Sequence, residues 1–125
     1  MIPIRPCLAS LAFIGLAACQ EEHLDSAAVD RGKTLSTSCT ACHQLTTSVH
    51  QIGPGLKDII GSTAGMQAGF DYSPGLKASG IVWTPETLIA FLQDPLAMVP
   101  DTKMAIGELN PAEATDLVTY LRSLD

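Results

Sequence analysis

Two thiols three positions apart, with an imidazole directly after the second, form the first chemistry-bearing group in this chain: Cys39-Thr40-Ala41-Cys42-His43. At that spacing both sulfurs can add across the two vinyl groups of one haem while the adjacent histidine reaches the iron, which is the c-type attachment pattern. A thioredoxin-like dithiol would need a βαβ context, and a zinc site would need a second ligand pair. Neither is present in the sequence. An iron held by His43 on one side offers its opposite side to a sixth ligand, for which the chain supplies Met66, Met98 and Met104, with His23 and His50 as imidazole rivals.

The remaining cysteines do not suggest a disulfide framework. Cys7 lies in an N-terminal stretch where Arg5 supplies a positive charge and Leu8 to Ala18 forms a short apolar run ending in small residues, the pattern of an export signal. The run closes as Leu16-Ala17-Ala18-Cys19, which resembles the lipobox of bacterial lipoproteins, where the cysteine is lipidated and becomes the first mature residue. We therefore read residues 1–18 as a lipoprotein-type signal peptide and Cys19 as the lipidation site. The rival is an ordinary secretory signal that leaves Cys19 a free thiol and the protein soluble in the periplasm. Both export the protein, and the first holds it on the periplasmic side of a bacterial membrane.

Loss of residues 1–18 leaves six basic and thirteen acidic side chains, a net charge of −7 with histidines neutral. Two haem propionates would add to this, so nucleic acid and anionic lipid headgroups are excluded as electrostatic partners. No apolar run reaches the roughly 18 residues of a membrane span. Membrane attachment must then come from the lipid.

The elements that must position these groups are helical. Residues 19–29 are polar at their start and without periodicity, a flexible tether, and residues 30–125 form one domain. A helical pattern covers 27–42, with Ala28, Arg31, Leu35 and Cys39 spaced by three and four positions. Gly53-Pro54-Gly55 marks a turn before the short apolar piece Leu56 to Ile60. Ser73-Pro74 and Thr84-Pro85-Glu86 are caps with proline at the first helical position, with Gly80 as the stop of the first of these helices. Leu88, Ile89, Phe91 and Leu92 give the second an apolar face, and Asp94-Pro95 ends it. After an irregular stretch from Leu96 to Leu109, Asn110, Pro111 and Glu113 open a last helix that should pack on the first. Strand alternation is absent, so the expected fold is all-α, with long loops wrapped around a cofactor.

Beyond the attachment motif, Val99-Pro100-Asp101-Thr102-Lys103-Met104 resembles the proline-to-methionine loop of the mitochondrial-type class I cytochromes c. The resemblance runs over about residues 30–124, through Gly53-Pro54-Gly55-Leu56, Gly69-Phe70-Asp71-Tyr72-Ser73, Ser79-Gly80-Ile81-Val82-Trp83 and Asp116-Leu117-Val118-Thr119-Tyr120-Leu121. It implies the small class I fold around one covalent haem c, with His43 and Met104 as axial ligands. It further implies that the Pro54 carbonyl receives the second nitrogen of His43, and that Tyr72 and Trp83 contact a propionate. His50 matches a histidine that bridges loops, and Lys103 is read as a solvated charge beside the haem edge.

Some positions depart from the family. Its propionate-side arginine falls on Ser62, its tyrosine beside the methionine sulfur on Phe91, and its aromatic near the methionine on Ile106. Its helix-crossing glycine falls on Gly32, one residue out of register.

With both axial positions filled by protein, the resemblance implies a monomeric electron carrier rather than an enzyme. Its partners would resemble a quinol:cytochrome c oxidoreductase as donor and a terminal oxidase or reductase as acceptor in a respiratory chain. The alternatives are a haem subunit of a larger redox complex, or a haem peroxidase or gas-binding protein should Met104 be labile.

Overall fold

The computed structural model describes residues 23–125. The export signal at 1–18, Cys7 and the lipidation site Cys19 lie outside the described residues.

Five α-helices and one short 3-10 helix make up the regular structure: α1 Ser26–Leu35, the 3-10 turn Cys39–Ala41, α2 Pro74–Ala78, α3 Pro85–Gln93, α4 Pro95–Met98 and α5 Pro111–Arg122. Among the described residues the only strand-like pairing is an isolated antiparallel bridge between Thr63 and Val82. The all-α expectation holds.

Local chemistry sets each helix start. The Asn110 side chain accepts from the backbone of Ala112 and Glu113 while the Glu113 carboxylate accepts from the Asn110 N–H, a complete capping box with Pro111 at the first position. Ser73 and Thr84 cap α2 and α3 with a single hydroxyl each, accepting from Leu76 N–H and Thr87 N–H, and each is followed by proline. The Asp94-Pro95 pair ends α3 as expected and then begins a further turn. The Asp94 carboxylate accepts from Ala97 N–H at 2.9 Å, so the stretch read as irregular opens with the one-turn α4.

Two N-terminal expectations need correction. Helix α1 begins at Ser26, capped by Asp25, so the last residues assigned to the tether belong to the folded domain. The same helix stops at Leu35 rather than running to Cys42. Here the hydroxyls of Ser36, Thr37, Ser38 and Thr40 each donate to the carbonyl three residues earlier, at 2.8–3.0 Å. The backbone tightens in step, with Cys39 N–H bonding Ser36 O and Cys42 N–H bonding Cys39 O. Serine and threonine compete for backbone acceptors in this way, which turns a helical spacing into a 3-10 path.

Helices α1 and α5 cross, and α3 packs on α5. Ala114, Leu117 and Val118 of α5 are essentially inaccessible, and Leu88, Phe91 and Leu92 of α3 close over them. Gly32 sits at the crossing: a Cβ there would lie 2.7 Å from Tyr120 Cβ and overlap the Asp116 carbonyl. The departure in register therefore leaves the close helix approach intact. Beside it the Arg31 guanidinium holds Asp116 through two bonds, Nε to Oδ2 at 2.6 Å and Nη2 to Oδ1 at 2.9 Å. That fork fixes the angle between the helices.

Candidate functional site

The loops between these helices enclose a cavity of about 760 Å³, mostly apolar-walled, whose lining includes Cys39, Cys42, His43, Pro54, Tyr72, Trp83 and Met104. All seven residues expected to hold the cofactor thus meet on one surface. Cavities of this size, roughly 300–1,000 Å³, are typical of cofactor sites.

His43 follows the 3-10 turn, and its ring is fixed by one contact: Nδ1 lies 2.7 Å from the Pro54 carbonyl oxygen. That oxygen can only accept, so Nδ1 carries the proton and Nε2 keeps its lone pair for a metal. The turn that supplies Pro54 is pinned by Gly53 N–H to Cys42 O at 2.8 Å and Leu56 N–H to Gln44 O at 2.8 Å. Glycine is required at 53, since a Cβ there would press into the His43 ring, 2.7 Å from Nδ1 and 2.8 Å from Nε2.

Cys39 and Cys42 are half-buried free thiols. Burial pushes the Cys39 thiol above its ordinary value. The described residues form no βαβ unit, the context that a thioredoxin-like dithiol would need. Among the described residues no group of three or more His, Cys, Asp and Glu side chains is placed to hold a metal ion.

Of the five candidates for a sixth ligand, only Met104 lines the cavity. Met66 is 67% exposed, and Met98 packs against the hydrophobic core. His23 is exposed before α1. His50 is committed elsewhere: its Nδ1 accepts from Gly55 N–H at 3.3 Å and its Nε2 faces the Ala68 carbonyl at 2.9 Å, bridging two loops.

The loop that delivers Met104 is held at several points. Thr102 N–H bonds Val99 O at 2.9 Å, and Met104 N–H bonds the Thr102 hydroxyl at 3.3 Å. Asp101 reaches across to the start of α2, accepting from the Ser73 hydroxyl at 3.1 Å and from Gly75 N–H at 2.8 Å. Lys103 is exposed, as the solvated charge expected from sequence should be, and it also has a partner: its Nζ donates to the Asp71 carbonyl at 2.8 Å and to the Asp71 carboxylate at 2.7 Å. Two tethers therefore tie the Met104 loop to the segment carrying Tyr72. Sequence reasoning missed Asp101, whose partners lie 26 and 28 residues away. The one available signal was its carboxylate near a loop end that must meet an N-cap serine.

Two measurements follow from this clamp. Asp101→Ala removes two hydrogen bonds at a helix start and should cost about 1–2 kcal/mol, speeding amide hydrogen exchange at Thr102 and Met104 by about tenfold or more. Unchanged exchange at both amides would show that the clamp does not restrain the loop. The Asp71 carboxyl is held below its ordinary value, first by the Lys103 hydrogen bond, then by the charges of Lys103 and Lys77. Because the folded value is the lower one, the tether is complete above the ordinary carboxyl value of about 3.9 and is lost as pH falls through the depressed value. In Lys103→Met, an NMR titration of Asp71 should move back up toward about 3.9.

At the far wall, residues 61–64 pair with 81–83 through Trp83 N–H to Ser62 O, Gly61 N–H to Trp83 O and Ala64 N–H to Ile81 O, each 2.8 Å. This pairing sets Trp83 against Phe91 with ring centroids 5.1 Å apart. Tyr72 is 8% exposed, and burial pushes its phenol up against the partial offset of the Gln67 backbone. Nearby Gln67 donates its amide to Gly55 O at 2.9 Å, leaving its Oε1 buried without a partner on the cavity wall. Ser62 turns its hydroxyl back to Ile59 O at 2.7 Å and Phe91 offers no polar group, so neither donates into the cavity. A large apolar cavity lined by an oriented imidazole, two thiols three positions apart and a thioether fits a haem bound through its edge and its iron.

Comparison with known proteins agrees with this geometry. The protein-family model for cytochrome c matches residues 29–125. The chain is 41% identical over 90 residues to cytochrome c 2.1 of Caenorhabditis briggsae, covering 71% of this chain and 80% of that protein. It is 38% identical over 93 residues to cytochrome c2 of Rhodomicrobium vannielii, covering 73% and 74%, and 37% identical over 99 residues to cytochrome c-550 of Nitrobacter winogradskyi, covering 78% and 91%. Among solved structures, cytochrome cH from Methylobacterium extorquens superposes with a TM-score of 0.71 at 33% identity, covering 76% of this chain and 97% of that one. The chain belongs to the class I cytochromes c, a family of electron carriers rather than enzymes that holds one covalent haem c.

Proposed function

We propose that this chain is a monomeric respiratory electron carrier whose single haem is bonded through thioethers at Cys39 and Cys42 and ligated axially by His43 and Met104. The observation that carries this reading is the restriction of the sixth-ligand candidates to Met104, in the same cavity as an imidazole whose tautomer is already set by Pro54. The haem supplies a one-electron ferric–ferrous couple when bound. The chain's own residues orient the imidazole, hold the methionine loop and exclude water from the apolar walls. Tyr72 and Trp83 take the propionate side, where an O–H and an indole N–H suit a carboxylate.

His43 and Met104 would hold the iron from the chain's own side chains, and the haem would then supply outer-sphere electron transfer to a transiently docked protein. Histidine–methionine ligation favours a raised potential. Its value is set by this chain's own surroundings, since Ser62 and Phe91 withhold the donors of its relatives. The double tether on the Met104 loop argues against the peroxidase and gas-binding alternative. Donor and acceptor are a quinol:cytochrome c oxidoreductase-like complex and a terminal oxidase- or reductase-like complex.

The carrier sits on the periplasmic side of a bacterial membrane, anchored by lipid at Cys19. No described helix is long and apolar enough to cross a membrane, which accords with attachment by lipid. Cys19→Ser should release the protein from the membrane fraction into the periplasmic extract. Full membrane retention of that variant would sink the anchor.

The deciding experiment is a visible and near-infrared spectrum of the haem-loaded protein in both oxidation states, with a pyridine haemochrome control. Covalent c-type haem with a methionine–iron band in the ferric form is expected. High-spin ferric iron would overturn Met104 ligation, and absence of covalent haem would overturn the site.

A further inference from the structure

Next to the haem cavity a second, shallower groove of about 450 Å³ is formed by Asp94, Pro95 and Leu96 on one side and by the chain from Thr102 to Glu108 on the other. Met104, Ala105, Ile106 and Glu108 line both, so the groove opens directly beside the proposed methionine ligand. Leu96 is 61% exposed, an apolar side chain facing solvent, and Ile106 lines both the groove and the haem cavity. Asp94 and Glu108, both exposed, flank it, and no basic residue lines the groove. Lys103 carries the nearest positive charge on this loop, and it is occupied by Asp71.

We infer that this groove is the electron-exchange docking face, and that its occupant is a redox protein whose contact surface is basic around an apolar centre. The inference rests on the electron-carrier reading and adds the partner's chemistry to it. Charge complementarity decides the partner's sign. An acidic rim on a chain of net −6 repels an acidic face and steers a basic one, raising encounter rates by roughly 10- to 1,000-fold at low salt. Leu96 and Ile106 then supply the desolvated patch that holds the encounter close to Met104. In transfer the ferrous iron loses one electron to the docked acceptor, or the ferric iron gains one from the donor, with no bond made or broken.

The test is voltammetry of the haem-loaded protein on gold carrying mixed monolayers, one amine- and methyl-terminated, the other carboxylate- and methyl-terminated. Interfacial electron transfer should be about tenfold or more faster on the amine layer at low salt. Glu108→Lys should cut that preference at least about fivefold, whereas Asp30→Lys, which makes the same change in net charge on an exposed position of α1 outside the groove, should leave it within about twofold. Leu96→Ser should lower coverage on the amine layer without changing the solution potential. Equal effects of Glu108→Lys and Asp30→Lys, or a preference for the carboxylate layer, would overturn the docking face. A protein with no reversible one-electron wave on either layer, and none in a mediated solution titration, would instead overturn the carrier reading beneath it.

Discussion

Met104→Ala should abolish the methionine–iron band of the ferric protein and leave the iron open, so that the ferrous form binds carbon monoxide rapidly. The same truncation at Met98 should leave the band in place. Both side chains are partly buried and pack against the core, so each loss should cost about 2 kcal/mol or somewhat more through missing apolar contacts. Stability therefore does not separate the two variants, and the spectrum does. Only Met104 lines the cavity that holds His43, and the tethers at Asp101 and Lys103 keep its loop in place after the thioether is gone. The iron's sixth position should then be filled by water or an added ligand rather than by a neighbouring side chain. Band loss in Met98→Ala with retention in Met104→Ala would move the ligand.

Gly32→Val should be the most destabilising single change outside the cofactor site, by about 3 kcal/mol or more, and Gly32→Ala should cost about 1–2 kcal/mol. Two effects oppose one another. Alanine in a helix interior gains about 1 kcal/mol over glycine through backbone entropy. Against this, a Cβ at position 32 would overlap the Asp116 carbonyl and lie 2.7 Å from Asp116 C and from Tyr120 Cβ. These are largely backbone atoms of a packed helix, which cannot swing aside as a flexible side chain would. The clash wins, because the two helices must separate and lose the Arg31–Asp116 fork as well. Urea midpoints of the two haem-loaded variants against the parent measure this. A stabilised Gly32→Ala would mean that the helices do not approach so closely.

Sequence and structure divide along the reach of the interactions involved. The attachment motif, the proline-led caps of α2, α3 and α5, and the stop at Asp94-Pro95 were legible because each is a contact among residues within a few positions. Helix α1 was read too long for a related reason. The three-and-four spacing of Ala28, Arg31, Leu35 and Cys39 marks one side of a helix, whereas the hydroxyls that end it act on the backbone whatever face they occupy. The resemblance placed Pro54, Tyr72 and Trp83 together, and the structure gives their contacts.

By itself the chain determined an imidazole beside two thiols three positions apart within an all-α, loop-rich fold, and the resemblance added a methionine as the expected sixth ligand. That information is local or carried by motif. The resemblance named Met104 and Gly32, but only the tertiary structure showed that Met104 shares a cavity with His43, that Lys103 pairs with Asp71, that Asp101 accepts from the start of a helix far away in sequence, and how closely α5 approaches Gly32. Each of these depends on where two separate segments come to rest against one another. That placement is fixed by the packing of α1, α3 and α5 and by the closure of loops around one cavity, and no window of sequence contains both partners.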